Sequence, residues 1–295
     1  MFKLAFCAGH YLHTSGKRIP KELDGKETRE WVLNDRIADF VEKAATERGI
    51  LTLRTDDPTG ENFIDIPERT AAANAWGADL YLDIHHNGAL GIFDGGGVEI
   101  FSYPGSVKGA AYRDAIYKSV IAAGGLKGNR ANPLQQVRFD SLAMTNMPAV
   151  LVEYGYMDSR VDAPVILTED YAKKVAYATV DAIAQVAGLD PAYKQEDFIR
   201  DVQRACGAKV DGIAGPETLS KTVTISQEKN RTHPVVAVVQ KYLHSRGYTQ
   251  VGKADGIAGV KFTAAVIAYQ EAHRCWVDGE ITAGHKTWKT LLGLQ

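Results

Sequence analysis

The sequence predicts an α/β fold: a mostly parallel twisted sheet with helices on both faces, followed by a small all-α C-terminal unit. Three observations lead there. Apolar runs of strand length at 2–7, 50–53, 79–84 and 149–154 alternate with helix-periodic stretches, the rhythm of a parallel sheet covered on both faces. Three of those runs end on a group that can bind a metal or move a proton: the first runs into Ala8-Gly9-His10, the third into His85-His86-Asn87, and the fourth ends on Glu153 before Gly155. In open α/β sheets, sites form at the carboxyl ends of parallel strands. From about residue 197 the texture changes to short amphipathic helices separated by recurring Asp-Gly turns.

The elements follow in order. After the first strand, residues 11–28 are polar, with two glycines and a proline. Loops this long in compact domains are often functional. Leu33, Ile37, Phe40, Val41, Ala44 and Ala45 recur at helical spacing until Gly49, with Thr28 as the expected N-cap and Glu30 in the first turn. A short helix runs from Glu68 to Trp76 with Pro67 at its start, where a proline costs no hydrogen bond. Gly95-Gly96-Gly97 lacks the helix context of a nucleotide loop and points to a tight turn or a close backbone approach. The alternation in 98–101 predicts an exposed or edge strand. A helix is expected over about 106–123, irregular polar chain over 124–147, and a last helix over roughly 167–187.

Residues 1–189 thus read as one domain, 190–196 as a linker and 197–295 as repeats. The repeat signature is Val210-Asp211-Gly212-Ile213-Ala214-Gly215, then Ala254-Asp255-Gly256-Ile257-Ala258-Gly259, then Val277-Asp278-Gly279. A helix carrying Gln203, Gln240 or Gln270 precedes each copy. Repetition at this period means stacked small units that share a core. The polar segment 222–234 between the first two copies is expected to be a flexible connection.

Composition narrows the function classes. Charged residues make up 24% of the chain and hydrophobic ones 45%, ordinary for a globular protein. No apolar run approaches a membrane span of ~20 residues, so no membrane partner is expected. Residues 1–194 carry 21 basic and 26 acidic groups and residues 195–295 carry 13 and 10, for −5 and +3. Neither value predicts nucleic-acid binding. The three cysteines, Cys7, Cys206 and Cys275, are odd in number and far apart, which excludes a disulfide framework as the organising device. Cys7 and His10 form a Cys-x-x-His spacing, but Cys7 sits within a strand and reads as core. The N-terminus lacks the pattern of a signal peptide. The expectation is synthesis in the cytoplasm without export by the general route.

A catalytic zinc takes three N or O ligands and leaves one position for water. His10, Glu30 and His85 supply that set. Glu153 would accept the water's proton and deliver it to a leaving nitrogen. Successive strand residues point to opposite sides, so only one of His85 and His86 can face His10; His85 is the expected ligand, and His86 packs or hydrogen-bonds behind the sheet. His13 is a competing ligand. The alternatives are two ordinary histidines at strand ends, Glu30 complementing a helix dipole, and Glu153 as an ion-pair partner of, for instance, Arg138. No His-Glu-x-x-His, Gly-x-Ser-x-Gly or P-loop is present, which excludes those site classes.

At these residues the chain resembles the zinc-dependent N-acetylmuramoyl-L-alanine amidases of the amidase-3 type, found in bacterial autolysins and phage endolysins. The resemblance covers about 2–187. It rests on Ala8-Gly9-His10, on Glu30 four residues before Asn34, on Arg69 and Asn74 before Gly77-Ala78-Asp79, on Ile84-His85 with Asn87, and on Pro148 to Glu153 with Gly155-Tyr156. It implies Zn2+ held by His10, Glu30 and His85, with Glu153 as the catalytic carboxylate. The implied reaction is hydrolysis of the amide between the lactyl group of muramic acid and L-alanine of the stem peptide. Asp83, where the family often has Ser, and the stretch 154–160 depart from the pattern. Residues 196–292 resemble small three-helix peptidoglycan-binding modules, with a first copy that looks truncated and two further copies that look like one complete module. The implied partner is bacterial peptidoglycan, and the combination is similar to an endolysin released through a holin pore or a sporulation amidase released by cell lysis. Whether the chain is a monomer or a dimer stays open.

Overall fold

The structure, a computed structural model, describes residues 2–189 and 193–294. It contains two compact units, Phe2–Ala187 and the residues from Gly188 onward. In the first unit one sheet holds β1 (Lys3–Ala8), β2 (Leu51–Arg54), β3 (Leu80–Asn87), β4 (Glu99–Ser102), β5 (Leu134–Gln136) and β6 (Ala149–Tyr156), in the order β2-β1-β3-β6-β4-β5. Every neighbouring pair is parallel except β4 against β6. The helices are α1 (Lys21–Asp24), α2 (Glu30–Glu47), α3 (Ile66–Trp76), α4 (Val107–Ala122), α5 (Asp140–Ala143), α6 (Ala163–Ile166) and α7 (Glu169–Val186). Helices α2, α4 and α7 pack together over one face of the sheet. On the other face, Ala73 of α3 and Leu142 of α5 join Ala5, Cys7, Tyr81, Phe101 and Leu151 in one apolar cluster. The central strands β1, β3 and β6 are buried on both faces, so they read as nearly continuous apolar runs.

Four expectations need correction. Strand β4 is not an edge: it lies between β6 and β5, and Val98, Glu99, Ile100 and Phe101 are all buried. Its polar–apolar alternation imitated a half-solvated strand because Glu99 is buried with polar partners, accepting from Asn87 Nδ2 at 2.9 Å and from the Tyr156 hydroxyl. The edge is β5, inside the stretch expected to be irregular; Leu134-Gln135-Gln136 is too short and polar to signal a strand. Thr28 does not cap α2. Arg29 occupies the cap position with no side-chain cap bond, and the Thr28 amide donates instead to Asp24 Oδ2 at 2.8 Å. The segment 222–234 is not a loose connection. Ile225 is fully buried and bridges Ile281, Trp288 Nε1 donates to the Val223 carbonyl at 2.9 Å, and the Thr222 and Thr224 hydroxyls accept from the Gly284 and Ala283 amides.

The second unit is all-α, with α8 (Gln195–Cys206), α9 (Pro216–Lys221), α10 (Val235–Ser245), a 3-10 turn (Thr249–Val251), α11 (Val260–Ala272) and α12 (Lys286–Leu292). The expected linker at 190–196 falls partly outside the described residues; Tyr193 is already in this unit's core and Gln195 opens α8. The three repeats share one device. Gln203, Gln240 and Gln270 are buried. Each donates to the aspartate of its own Asp-Gly turn, at 2.9, 2.8 and 3.0 Å, and accepts from the turn's glycine amide at 2.9, 2.8 and 2.9 Å. Burying a carboxamide is costly unless both ends are paired, and the turn pairs both. The first repeat is therefore complete in this respect, and Phe198 and Val202 of α8 join Tyr242 and Leu243 of α10 in one core.

Candidate metal centre

Three elements deliver the candidate ligands. His85 lies near the end of β3, two residues before Asn87, on the side of Tyr81 and Asp83. Glu30 is the first residue of α2 and is fully buried. His10 follows the tip of β1 with φ of 66°, a left-handed conformation uncommon for a side-chain-bearing residue. Arg69 of α3 holds it there. Its guanidinium donates to the Ala8 carbonyl at 2.9 Å, the His10 carbonyl at 2.8 Å and the Ile64 carbonyl at 2.8 Å.

The donor atoms of His10, Glu30 and His85 lie within 4.8 Å of one another. His85 Nδ1 is 3.0 Å from Glu30 Oε1, and His10 Nε2 is 3.4 Å from Glu30 Oε2. The two imidazoles meet edge to face with centroids 4.9 Å apart. Gly9 makes the approach feasible: a Cβ there would stand 2.1 Å from His85 Cε1. Behind His85, Asp83 Oδ1 lies 3.1 Å from Nε2 and also accepts from the Cys7 thiol at 3.0 Å. A carboxylate behind a ligating imidazole fixes its orientation and raises its basicity. The departure from the family pattern at Asp83 thus has a place in the site, which the sequence did not reveal.

Successive residues of β3 face opposite sides of the sheet. His86 points to the opposite face, buried, with Nδ1 2.7 Å from Asn34 Oδ1. The Asn34 amide donates to the Gly9 carbonyl at 3.1 Å and to Glu30 Oε1 at 3.4 Å, so one asparagine ties α2 to the tips of β1 and β3. The rival assignments are not assembled. His13 is exposed and pairs with Glu61 at 3.1 Å, Cys7 turns to Asp83 and Tyr81, and Arg138 donates to the Tyr103 hydroxyl at 2.7 Å, not to Glu153. Lys17, which sequence reasoning passed over, reaches 3.7 Å from Glu30 Oε2 out of the long loop. Asn74 anchors the approach to β6, donating to the Met144 carbonyl and accepting from the Asn146 amide.

Glu153 is the register partner of His85 across β3 and β6. Its Oε2 is sealed from solvent and has no hydrogen-bond partner among the described residues; the same is true of Glu30 Oε2 and hydrogen bonds. Burial pushes the Glu153 carboxyl up to about 8, with the Glu30 charge adding to the effect against the opposing pull of His85. Burial holds His10 down at about 4 despite Glu30, so its imidazole is neutral at pH 7. Burial would likewise depress His85, but the facing Asp83 and Glu30 carboxylates override it and raise it well above the usual range. Carboxylates that hold a proton on His85 equally favour a cation in its place. Two nitrogens, one carboxylate and an unpaired buried oxygen fit a three-ligand zinc site with one open position.

The family model for N-acetylmuramoyl-L-alanine amidase matches residues 5–185, and that for a peptidoglycan binding domain matches residues 232–291. Similar curated proteins include the N-acetylmuramoyl-L-alanine amidase CwlM of Bacillus licheniformis, 30% identical over 48% of this chain and 51% of that protein. The endolysin of Bacillus phage SPP1 is also 30% identical, over 43% of this chain and 47% of the endolysin. The chain thus spans about half the length of these relatives. Among solved structures, the catalytic domain of CwlV from Bacillus (Paenibacillus) polymyxa shares the fold at a TM-score of 0.56 and 23% identity, covering 64% of this chain and 99% of that one. With more than half of its length matched and the strand-end residues in place, the chain belongs to the N-acetylmuramoyl-L-alanine amidase family.

Proposed function

We propose that the first unit is a zinc amidase that hydrolyses the amide between the lactyl group of N-acetylmuramic acid and L-alanine of the peptidoglycan stem, and that the repeats bind the cell wall. The observation that carries this reading is the convergence of His10, Glu30 and His85 within 4.8 Å beside a buried carboxyl with an unpartnered oxygen. When bound, Zn2+ supplies a Lewis acid for the amide carbonyl and an acidified water. The chain's own residues do the rest. Glu153 takes a proton from the attacking water and returns it to the nitrogen of L-alanine as the amide breaks. Asp83 and Asn34 keep His85 and Glu30 aimed, and Arg69 keeps His10 in its strained turn. No helix among the described residues is long and apolar enough to cross a membrane; action on the wall after release by a pore or by lysis is the route this reading favours.

The test is Glu153→Gln in the full chain, assayed on purified walls with product analysis. The expected result is unchanged zinc content and melting, with hydrolysis reduced by about 10²–10⁴-fold. Wild-type products should carry a free lactyl carboxylate and an N-terminal L-alanine. Release of other peptide bonds would instead identify a zinc peptidase, and turnover by Glu153→Gln near the wild-type rate would remove Glu153 from the chemistry.

A further inference from the structure

Glu153 has register partners on both sides: His85 in β3 and Glu99 in β4. Paired residues project from the same face of a sheet. His85, Glu153 and Glu99 therefore form a row across three strands, with steps of about 5 Å. Beyond Glu99, on the side away from His85, a cavity of about 410 Å3 opens, lined by Glu99, Asn129, Arg130, Ala131, Asn132 and Gln135.

Its walls are built. Glu99 is buried and accepts from Tyr156, Asn87 and Gln135. The Arg130 guanidinium stacks 5.0 Å from the centroid of the Tyr156 ring. Its Nε lies 3.6 Å from Glu99 Oε1, outside hydrogen-bond range, and its side chain is 40% exposed. Arg130 makes no hydrogen bond among the described residues; the Tyr156 ring and the ion pair with Glu99 position it, and its guanidinium donors remain open to a further acceptor. The loop that carries it is clamped. Asn129 and Gly96 exchange hydrogen bonds in both directions at 3.1 Å. The backbones approach so closely that a Cβ on Gly128 would stand 1.8 Å from the Gly96 carbonyl oxygen. The Gly95–Gly97 run is thereby explained as the seat of the Arg130 loop.

The chemistry sets the direction of the substrate. If Glu153 protonates the leaving nitrogen, that nitrogen sits beside it with the carbonyl carbon on the His10–His85 side. The chain attached to the nitrogen is the stem peptide, and the row continues past Glu153 to Glu99. The α-carboxylate of the second stem residue lies within about 7 Å of the scissile nitrogen at ~3.3–3.6 Å per residue, one to one and a half strand steps. We infer that this cavity is the subsite for the released peptide and that Arg130 grips the α-carboxylate of the residue following L-alanine. Asn132 and Gln135 offer donors and acceptors to the neighbouring peptide groups. The inference rests on the reading of Glu153 given above.

The test compares three soluble substrates with the intact zinc-loaded chain: a stem whose second residue has a free α-carboxylate, the same stem amidated there, and N-acetylmuramoyl-L-alanine alone. Arg130→Gln is expected to raise KM about tenfold or more for the first, less for the second, and by under about twofold for the third, with kcat little changed for all three. Calorimetry on the Glu153→Gln chain provides a readout free of turnover: the dipeptide L-Ala-D-Glu should bind about tenfold more weakly when Arg130→Gln is added. If Arg130→Gln melts early, Arg130→Lys, which keeps the charge and loses the fork, carries the same comparison. An equal KM shift on all three substrates, or none on the first, overturns the subsite. Failure of the Glu153 reading shows separately, as activity retained by Glu153→Gln alone.

Discussion

Replacing Gly9 by Ala should disarm the proposed metal centre while leaving the sheet intact. The added Cβ would lie 2.1 Å from His85 Cε1, 2.2 Å from Nε2 and 2.5 Å from Nδ1, where ordinary contact begins at 3.4 Å. The imidazole must retreat by about 1.3 Å, yet it is held by Asp83 at 3.1 Å on one side and Glu30 at 3.0 Å on the other. The backbone cannot yield instead. The Gly9 amide donates to the Ile84 carbonyl at 2.8 Å, its carbonyl accepts from Asn34, and Arg69 grips the carbonyls on both sides of it. Overpacking of this kind costs about 1–3 kcal/mol of stability. The effect on the metal is larger, because ligand distances tolerate only about 0.2 Å. Zinc affinity should fall at least about 100-fold, the upper range for disturbing ligand support, or about 2.8 kcal/mol at 1.4 kcal/mol per decade. Competition with a chromophoric chelator measures the affinity, and thermal melting with and without zinc measures the fold. Gly16→Ala is the control: its φ of 76° carries some strain, but nothing lies within 4 Å of the new Cβ. Wild-type zinc affinity in Gly9→Ala would refute the close packing of β1 against His85.

Three further outcomes are expected. Arg69→Lys keeps the charge but loses the fork that spans Ala8 and His10; zinc affinity should drop about 10–100-fold with melting lowered by only a few degrees, and a chain with unchanged affinity would free His10 from this support. Burial holds His86 down at about 3, below its unfolded value near 6.5, so the folded state refuses a proton that the unfolded state accepts. The stability it contributes is full above pH 6.5 and is lost as pH falls toward 3, at about 1.4 kcal/mol per unit; denaturant titrations at pH 7 and 4.5 should show a smaller loss for His86→Gln than for the wild type, and equal losses would place the proton elsewhere. Gln240→Leu leaves the Asp255 carboxylate and Gly256 amide without their buried partner, costing about 1–3 kcal/mol, and should weaken wall binding in a sedimentation assay without changing turnover of a soluble substrate.

Much of the first unit was legible because burial on both faces writes strands as apolar runs, and because a polar group at the end of such a run needs a reason. The alternation of side chains along β3 puts His85 and His86 on opposite faces of the sheet. The repeats announced themselves through Asp-Gly turns, and the buried glutamines explain why the pattern recurs. The strands that local pattern did not reveal share a cause. Glu99 and Gln135 look solvent-facing in one dimension, yet Glu99 accepts from Tyr156, Asn87 and Gln135 in three. Thr222 and Thr224 likewise make a polar segment look loose while they satisfy the 283–284 backbone.

By itself the sequence determined the alternation of strands and helices, the three strand-end groups and the presence of repeats, since each follows from hydrophobic periodicity or local turn chemistry. Only the tertiary structure decided that β4 runs antiparallel inside the sheet, that Asp83 and Asn34 stand behind His85 and Glu30, that Gly9 is a clearance for His85, and that Arg130 is seated by a run of glycines. Those facts depend on distances between residues tens of positions apart, which no local pattern encodes because the interactions that fix them form only when the sheet is assembled.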